Sequence, residues 1–505
     1  MTFDKTLSWK THILKLIDKC NRNLNIIRCT KGRSWGTDKK CLLNIYKGLI
    51  QSKINYGCIV YQTASDTLLN KLQRIQNRAL RVITSCPRYT PVTPLHVETA
   101  TLPLDLQRDI YALKYWARSY RLGKTLPINS LVDVDPIFIY KAKPNQKLPY
   151  SQSIQVLLQK YQLSDLPIQE PSYNHNPNLS LPAIDISLCE KINKQGDPQS
   201  NLSITNRHLI HNYENFTKIF TDGSKDTKSN IAGAGIVVFN KQNEIQDQVT
   251  LKFNNSVSIF TCELYAIDRA CAYAHNTNKT QTVICTDSLS SIQSIQSGHS
   301  KNRPELVNNI LQTCTNIKNK GNTITLTWVP SHIGLTGNEK ADTLAKLGSL
   351  DGTQIDIKLS LPEAYSVIKH IIKKQFHKRW DEYSAKHTIR SNTHPPTRME
   401  KYHPDKQLDD IYTRLKLNGS FLNRRRIVSL GQLCSGCNVP EDDEHVLMHC
   451  IWFKHERENM QDALTKININ AVNLKTLLDP PPESARQVRE ILFNYIKNTN
   501  LINKL

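Results

Sequence analysis

At residue 214 the spacing of apolar side chains changes, and this change limits the fold more than any other feature of the chain. Well before it, over the first 125 residues, apolar residues recur at every third or fourth position, as in Trp9, Ile13, Leu16, Ile17, Cys20, Leu24 and Ile27, which lines them along one helix face. After it come three short β-rich runs, "TKIFTD", "AGAGIVVFN" and "DQVTLKF", separated by turn residues. Such runs predict an antiparallel meander. Helical spacing returns at Cys262, Ala266, Ile267, Ala270 and Ala274. The strand "QTVICTD", a polar helix from Ser288, a helix from Glu305 to Lys318, the strand "TITLTWV" and a last helix opened by Thr336 follow. Three strands and then alternating helices and strands predict an α/β domain with a mixed five-stranded sheet and helices on both faces. Thr336 with Glu339 three residues on predicts a capping box.

The chain of 505 residues is too long for one core, so several domains are expected. Residues 1–125 read as a helical module and 126–213 as a Pro-rich linker with a short helix near Ile154–Tyr161. The sheet domain takes 214–349, a linker with helices 350–425, a Cys/His segment 426–460 and a helical tail 461–505. The formal charge of +22, spread along the chain, favours a polyanionic partner, nucleic acid first; a merely solubilising basic surface is the alternative. Thirteen cysteines, mostly scattered singly as at Cys262, Cys271 and Cys285, argue for reduced thiols and against a disulfide framework. With no apolar run of signal-peptide or membrane-spanning length, an intracellular protein, nuclear or cytoplasmic, is expected.

Two of the strands end in acids. Asp222 closes "IFTD" and Asp287 closes "VICTD", each before Gly-Ser or Ser. Either alone reads as an ordinary turn aspartate. A right-handed crossover between the two strands would set them parallel and side by side, with both acids at the carboxyl edge where open α/β sheets place their sites. Glu263, early in the crossover helix, and Asp342, in the second turn of the last helix, could join them. Four carboxylates together disfavour one another's ionisation and call for hard cations. Mg²⁺ suits such oxygens, and two ions about 4 Å apart can clamp a phosphoryl displacement.

The segments "TDGS", "CELYAI", "CTDSLSS" and "WVPSHIGLTGNEKADTLAK" occur in order over about 214–349. They resemble the type-1 ribonuclease H family, especially the version in non-LTR retrotransposons. The resemblance implies that Asp222, Glu263, Asp287 and Asp342 bind two Mg²⁺ ions, with Mn²⁺ as the alternative. It implies that His332 assists proton transfer or product departure; a loop histidine bonding a carbonyl is the bland reading. For Glu339 the capping role is favoured. The implied activity is an endoribonuclease that cuts the RNA strand of RNA–DNA hybrids. Two features depart from many cellular members. The stretch "SKDTKSNIAG" lacks a Gly-Asn-Pro-Gly-rich first hairpin, and Gln296 to Glu305 is too short for an additional basic helix.

The first 120 residues, with "LSWKTHI", "YKGLIQSKINYG", "LQRIQNRALRVI" and "PLHVETATLPL", resemble the thumb-like region that follows the polymerase palm in Jockey-like and I-like reverse transcriptases. No Tyr-x-Asp-Asp turn is present, and the pairs Asp409–Asp410 and Asp442–Asp443 lie outside any such hairpin, so no polymerase is expected. Near the other end, Cys434, Cys437, His445 and Cys450 give C-x2-C-x7-H-x4-C, which can close a tetrahedral structural zinc site and resembles the zinc-knuckle-like segment of the same elements. His449 competes with Cys450 as fourth ligand. Acidic residues inside the cluster leave nucleic-acid contact to Arg424, Arg425 and Arg426. The alternatives to a hybrid nuclease are a nucleic-acid-binding element remnant without turnover and a transposase or integrase of related fold.

Overall fold

The computed structural model describes residues 1–32, 35–123, 126, 127, 129, 148–171, 179–193, 196–226, 229, 231–387, 390, 395–422 and 433–505. The chain forms two units, one of residues 114–130 and 162–368, the other of 1–113, 131–161 and 369–505.

The first of these is built on a mixed sheet. Its strands are β1 (Ala183–Asp185), β2 (Thr217–Asp226), β3 (Ile231–Phe239), β4 (Ile245–Phe253), β5 (Gln281–Thr286), β6 (Thr323–Trp328) and β7 (Thr353–Ile355), in the order β1-β6-β5-β2-β3-β4-β7. The meander β2–β3–β4 is antiparallel, and β5 runs parallel to β2. The longer helices between β1 and β7 are α1 (Pro198–Tyr213), α2 (Ile259–Asn276), α3 (Leu289–Gln296), α4 (Pro304–Asn319) and α5 (Thr336–Asp351). Side chains alternate along each strand, so the sheet feeds two cores. Ile219, Ala234, Ile236 and Leu251 pack with Cys262, Ala266 and Ala270 of α2 and Ile310 of α4. Phe220, Val237, Phe239 and Cys285 pack on the other face with Leu209 and Tyr213 of α1 and Ala341 of α5.

The sheet has seven strands where five were expected. The added strands β1 and β7 are three residues long, too short for a period of two to register, and they pair in parallel with β6 and β4. The Pro-rich stretch also holds α1, which starts on Asp197, whose side chain accepts the Ser200 N–H, with Pro198 in the first turn. Proline there is a helix-start signal rather than a breaker. In the last helix the capping box does not form. Leu335 occupies the cap with no side-chain bond, and Thr336 is already helical; Glu339 instead accepts the Gly334 N–H at 3.4 Å.

Close approach of helices to the sheet depends on glycine. A Cβ on Gly235 would lie 2.2 Å from the Ala341 carbonyl oxygen, and one on Gly233 would lie 2.3 Å from the Ser349 N–H nitrogen. Without those side chains α5 rests directly on β3, which carries Asp342 to the edge of β2.

The other unit is helical. The helix Lys10–Thr30 buries Ile13, Leu16, Cys20, Leu24 and Ile27 against Leu72, Ile75 and Ala79 of the helix Asp66–Ile83. The expected helix near Ile154 spans Tyr150–Tyr161. Val446 and Leu447 share a core with Met460 and Leu464 of the helix Lys454–Thr465 and Leu492 and Ile496 of the helix Ala485–Asn498, so the Cys/His segment and the tail fold together.

Candidate active site and metal centres

Register brings the first two acids together. Thr221 of β2 pairs with Thr286, the last residue of β5, so Asp222 stands beside Asp287. Asp222 does not close its strand as expected: β2 runs on to Asp226, held by its pairing with β3, so the acid sits within the strand where β5 ends. Glu263 comes from the second turn of α2, whose start is capped by Ser258. Gly223 lets that helix in, since a Cβ there would meet the Glu263 backbone nitrogen at 2.8 Å. One carboxylate oxygen each of Asp222, Glu263 and Asp287 lies within 4.8 Å of the others. Asp342 shares a hydrogen bond with Asp222 and pairs with Lys346 at 2.7 Å. Asp342, His332 and Glu339 form a second such group.

The electrostatics are those of uncompensated acids. Asp222 and Glu263 are each 7% exposed. Burial, and then the charges of Asp287 and Asp342, push the Asp222 carboxyl up to about 8. Burial, and then Asp222 and Asp287, hold the Glu263 carboxyl well above the usual range. Asp287 is also raised by burial, opposed by its bond from Asn338 and by the charge of His332. The buried Oε2 of Glu263 has no hydrogen-bond partner among the described residues. A buried carboxylate oxygen left this way is costly, and a divalent cation would satisfy it.

His332 is exposed, in the loop before α5, with a left-handed backbone (φ 54°). Two neighbours escaped sequence reasoning. Asn338 is buried and donates to Asp287 Oδ2 at 3.5 Å, and the Trp328 indole donates to the Asp287 carbonyl at 3.1 Å. Both sit inside "WVPSHIGLTGN", so the motif itself was the available signal.

The Cys/His residues also converge. Ligand atoms of Cys434, Cys437, His445 and Cys450 all lie within 4.8 Å of one another, while His449 is exposed and outside the group. The Cys434 and Cys450 sulfurs are 3.7 Å apart. Burial opposes ionisation of Cys434, yet bonds from His445 and from the N–H groups of Gly436 and Cys437 bring it down to about 6. Burial pushes Cys450 up to about 11. The buried Nε2 of His445 has no partner among the described residues. Arg424, Arg425 and Arg426 lie outside the described residues.

The other acid pairs are structural. Asp409 meets the buried Lys39 at 3.2 Å and Asp410 meets Lys406 at 3.2 Å. Asp443 takes Arg390 at 2.9 Å, and Asp442 accepts the His445 N–H at 2.8 Å.

The fold and acid edge define a ribonuclease H-like domain, and residues 214–349 match the RNase H family. The chain is 28% identical over 121 residues to the probable RNA-directed DNA polymerase from transposon BS of Drosophila melanogaster. That match covers 24% of this chain and 13% of the polymerase. Similar solved structures include a foamy viral protease-reverse transcriptase in complex with dsDNA (24% identity, 26% of this chain and 94% of that chain, TM-score 0.23). Another is RNase H1 from Halobacterium salinarum NRC-1 (19%, 26% and 96%, TM-score 0.22). Residues 214–349 are therefore an RNase H domain, and the similarity to a transposon polymerase spans only a small part of that relative's length. Among the described residues no helix is long and apolar enough to cross a membrane.

Proposed function

We propose that this protein is an endoribonuclease that hydrolyses the RNA strand of RNA–DNA hybrids. The observation that carries the reading is the meeting of Asp222, Glu263 and Asp287 with the unpartnered Glu263 oxygen. Asp222, Glu263, Asp287 and Asp342 would hold two Mg²⁺ ions, or Mn²⁺, which supply charge stabilisation and an activated water for phosphodiester hydrolysis. The protein's own residues do the rest. Trp328 and Asn338 fix Asp287 from its backbone and side chain. Lys346 orients Asp342. His332, exposed beside this group, is placed to hold or release a proton at the departing oxygen. RNA is told from DNA by its 2′-hydroxyl, and the basic chain favours the polyanion.

Cys434, Cys437, His445 and Cys450 fit a structural zinc. Tetrahedral Zn–S bonds of about 2.3 Å place two sulfurs about 3.8 Å apart, against 3.7 Å between Cys434 and Cys450. A ring nitrogen of His445 would supply the fourth ligand. The N-terminal helices are read as a thumb-like reverse-transcriptase segment without polymerase acids, in an intracellular protein.

The test is cleavage of labelled RNA–DNA hybrid, duplex DNA and single-stranded RNA with Mg²⁺. Cutting confined to the RNA of the hybrid supports the reading. Hybrid binding without cutting would leave a binding protein, and cutting of duplex DNA would favour a transposase-like enzyme.

A further inference from the structure

Behind the acid edge three buried side chains meet: Arg303 and Thr261, both fully buried, and Glu363. Arg303 Nη2 donates to Glu363 Oε2 at 2.5 Å and its Nε to Thr261 Oγ1 at 2.9 Å. Its Nη1 donates to the Lys358 carbonyl at 2.8 Å and to Glu305 at 3.1 Å. Glu363 Oε2 also accepts the Ser360 N–H at 2.9 Å and the Ser360 hydroxyl at 2.8 Å. That is half of a capping box for the helix Leu361–Lys386, a glutamate reaching back to the N–H before its helix.

A capping role does not account for Oε1. That oxygen accepts the Ser258 N–H at 2.7 Å and the Thr261 hydroxyl at 2.8 Å. Ser258 caps α2, Thr261 is its third residue and Glu263 its fifth. At 3.6 residues per turn, positions two apart point to nearly opposite sides. The first turn of α2 is therefore gripped from behind while Glu263 faces Asp222 and Asp287. Remove the carboxylate and the Ser258 N–H loses its partner, while Arg303 keeps only Glu305 as a counter-charge. A helix start without partners frays, and a buried arginine stripped of one of its two counter-charges is destabilising.

We propose that Glu363, acting with Arg303, is a positioning residue for Glu263. The segment 358–363, beyond the 214–349 match, completes the acid site. The inference rests on the reading of Glu263 as a metal-holding acid. Small displacements of such a group matter, since about 1 Å can cost on the order of 10²-fold in rate.

The experiment uses the full chain with Glu363→Gln, Glu363→Asp and the apolar pair Arg303→Met/Glu363→Leu. It reads melting temperature, the Mg²⁺ half-saturation for thermal stabilisation and for hybrid cleavage, and amide exchange at 259–263. Glu363→Gln should raise the Mg²⁺ half-saturation at least about tenfold while the KM for hybrid changes less than about twofold. Glu363→Asp, with the charge but a shorter reach, should fall between. The apolar pair should recover stability yet keep the raised half-saturation and faster exchange at 259–263. A wild-type half-saturation in Glu363→Gln, or its return in the apolar pair along with stability, would overturn the proposal. If the wild-type protein shows no Mg²⁺ response at all, the acid-site reading fails separately; unchanged exchange at 259–263 in Glu363→Gln then overturns the grip. Should Glu363→Gln not fold, the aspartate and apolar variants decide by the same readouts.

Discussion

Replacing Asp222 by asparagine should stabilise the metal-free protein while abolishing the proposed hybrid cleavage. Asp222 lies near 8 in the folded chain against an ordinary 3.8, because it is buried beside Asp287 and Asp342. The native state therefore keeps a proton that the unfolded state gives up between these values. The unfolded state binds fewer protons across that window, so metal-free stability falls as pH rises from about 4 to about 8, by roughly 1.4 kcal/mol per pH unit for one group. By neutral pH, about three units above 3.8, the ceiling is about 4 kcal/mol. The amide is nearly isosteric and still accepts the Gly223 N–H, but it is itself a buried polar group. A net gain of about 2 kcal/mol is expected, roughly 4–8 °C for a unit of this size. Melting in EDTA across pH 5 to 8 measures it: the wild type should lose stability with rising pH and Asp222→Asn should lose less. Adding Mg²⁺ should reverse the order, because the wild-type acids shed their protons to the metal and the amide cannot replace a charged ligand. A variant less stable than wild type in EDTA at neutral pH, or one stabilised by Mg²⁺ as strongly as wild type, would refute the argument.

Three other outcomes follow from the geometry. His332→Ala should lower kcat about 10²-fold with little change in KM, read by steady-state cleavage of hybrid across pH; an unchanged profile returns His332 to a plain loop residue. Gly235→Ala should cost roughly 3 kcal/mol or more, because the new Cβ would sit 2.2 Å from the Ala341 carbonyl; denaturant melts give the value, and a loss under about 1 kcal/mol means that α5 can shift freely. Cys437→Ser in the full chain should lose one zinc by elemental analysis and loosen residues 433–453 to proteolysis while hybrid cleavage persists, since small zinc modules draw their folding energy from the metal; zinc retained by Cys437→Ser and lost by His449→Ala would reassign the site.

What the sequence determined by itself is local or periodic. The change from a spacing of three and four to a spacing of two was enough to place β2, β3 and β4, and the crossover rule set β2 and β5 parallel with Asp222 beside Asp287, although β2 runs on past Asp222 to Asp226 because β3 pairs with it. Cysteine and histidine spacing was enough to single out Cys434, Cys437, His445 and Cys450, whose ligand atoms the fold gathers. Only the tertiary structure could show that Cys450 rather than His449 lies near the other three, since that depends on how the turn His445–His449 buries Cys450 and leaves His449 in solvent. Only the fold could recruit β1 and β7, whose three residues are held by sheet edges already built rather than by propensity of their own. Glu339 left the expected box because Leu335, packed in the core, took the cap and set Thr336 one position into the helix. Glu363 was the least legible of all. Its partners Ser258 and Thr261 are more than a hundred residues away in the chain, and a buried charge finds its counter-charge by proximity in space, which spacing along a sequence does not encode.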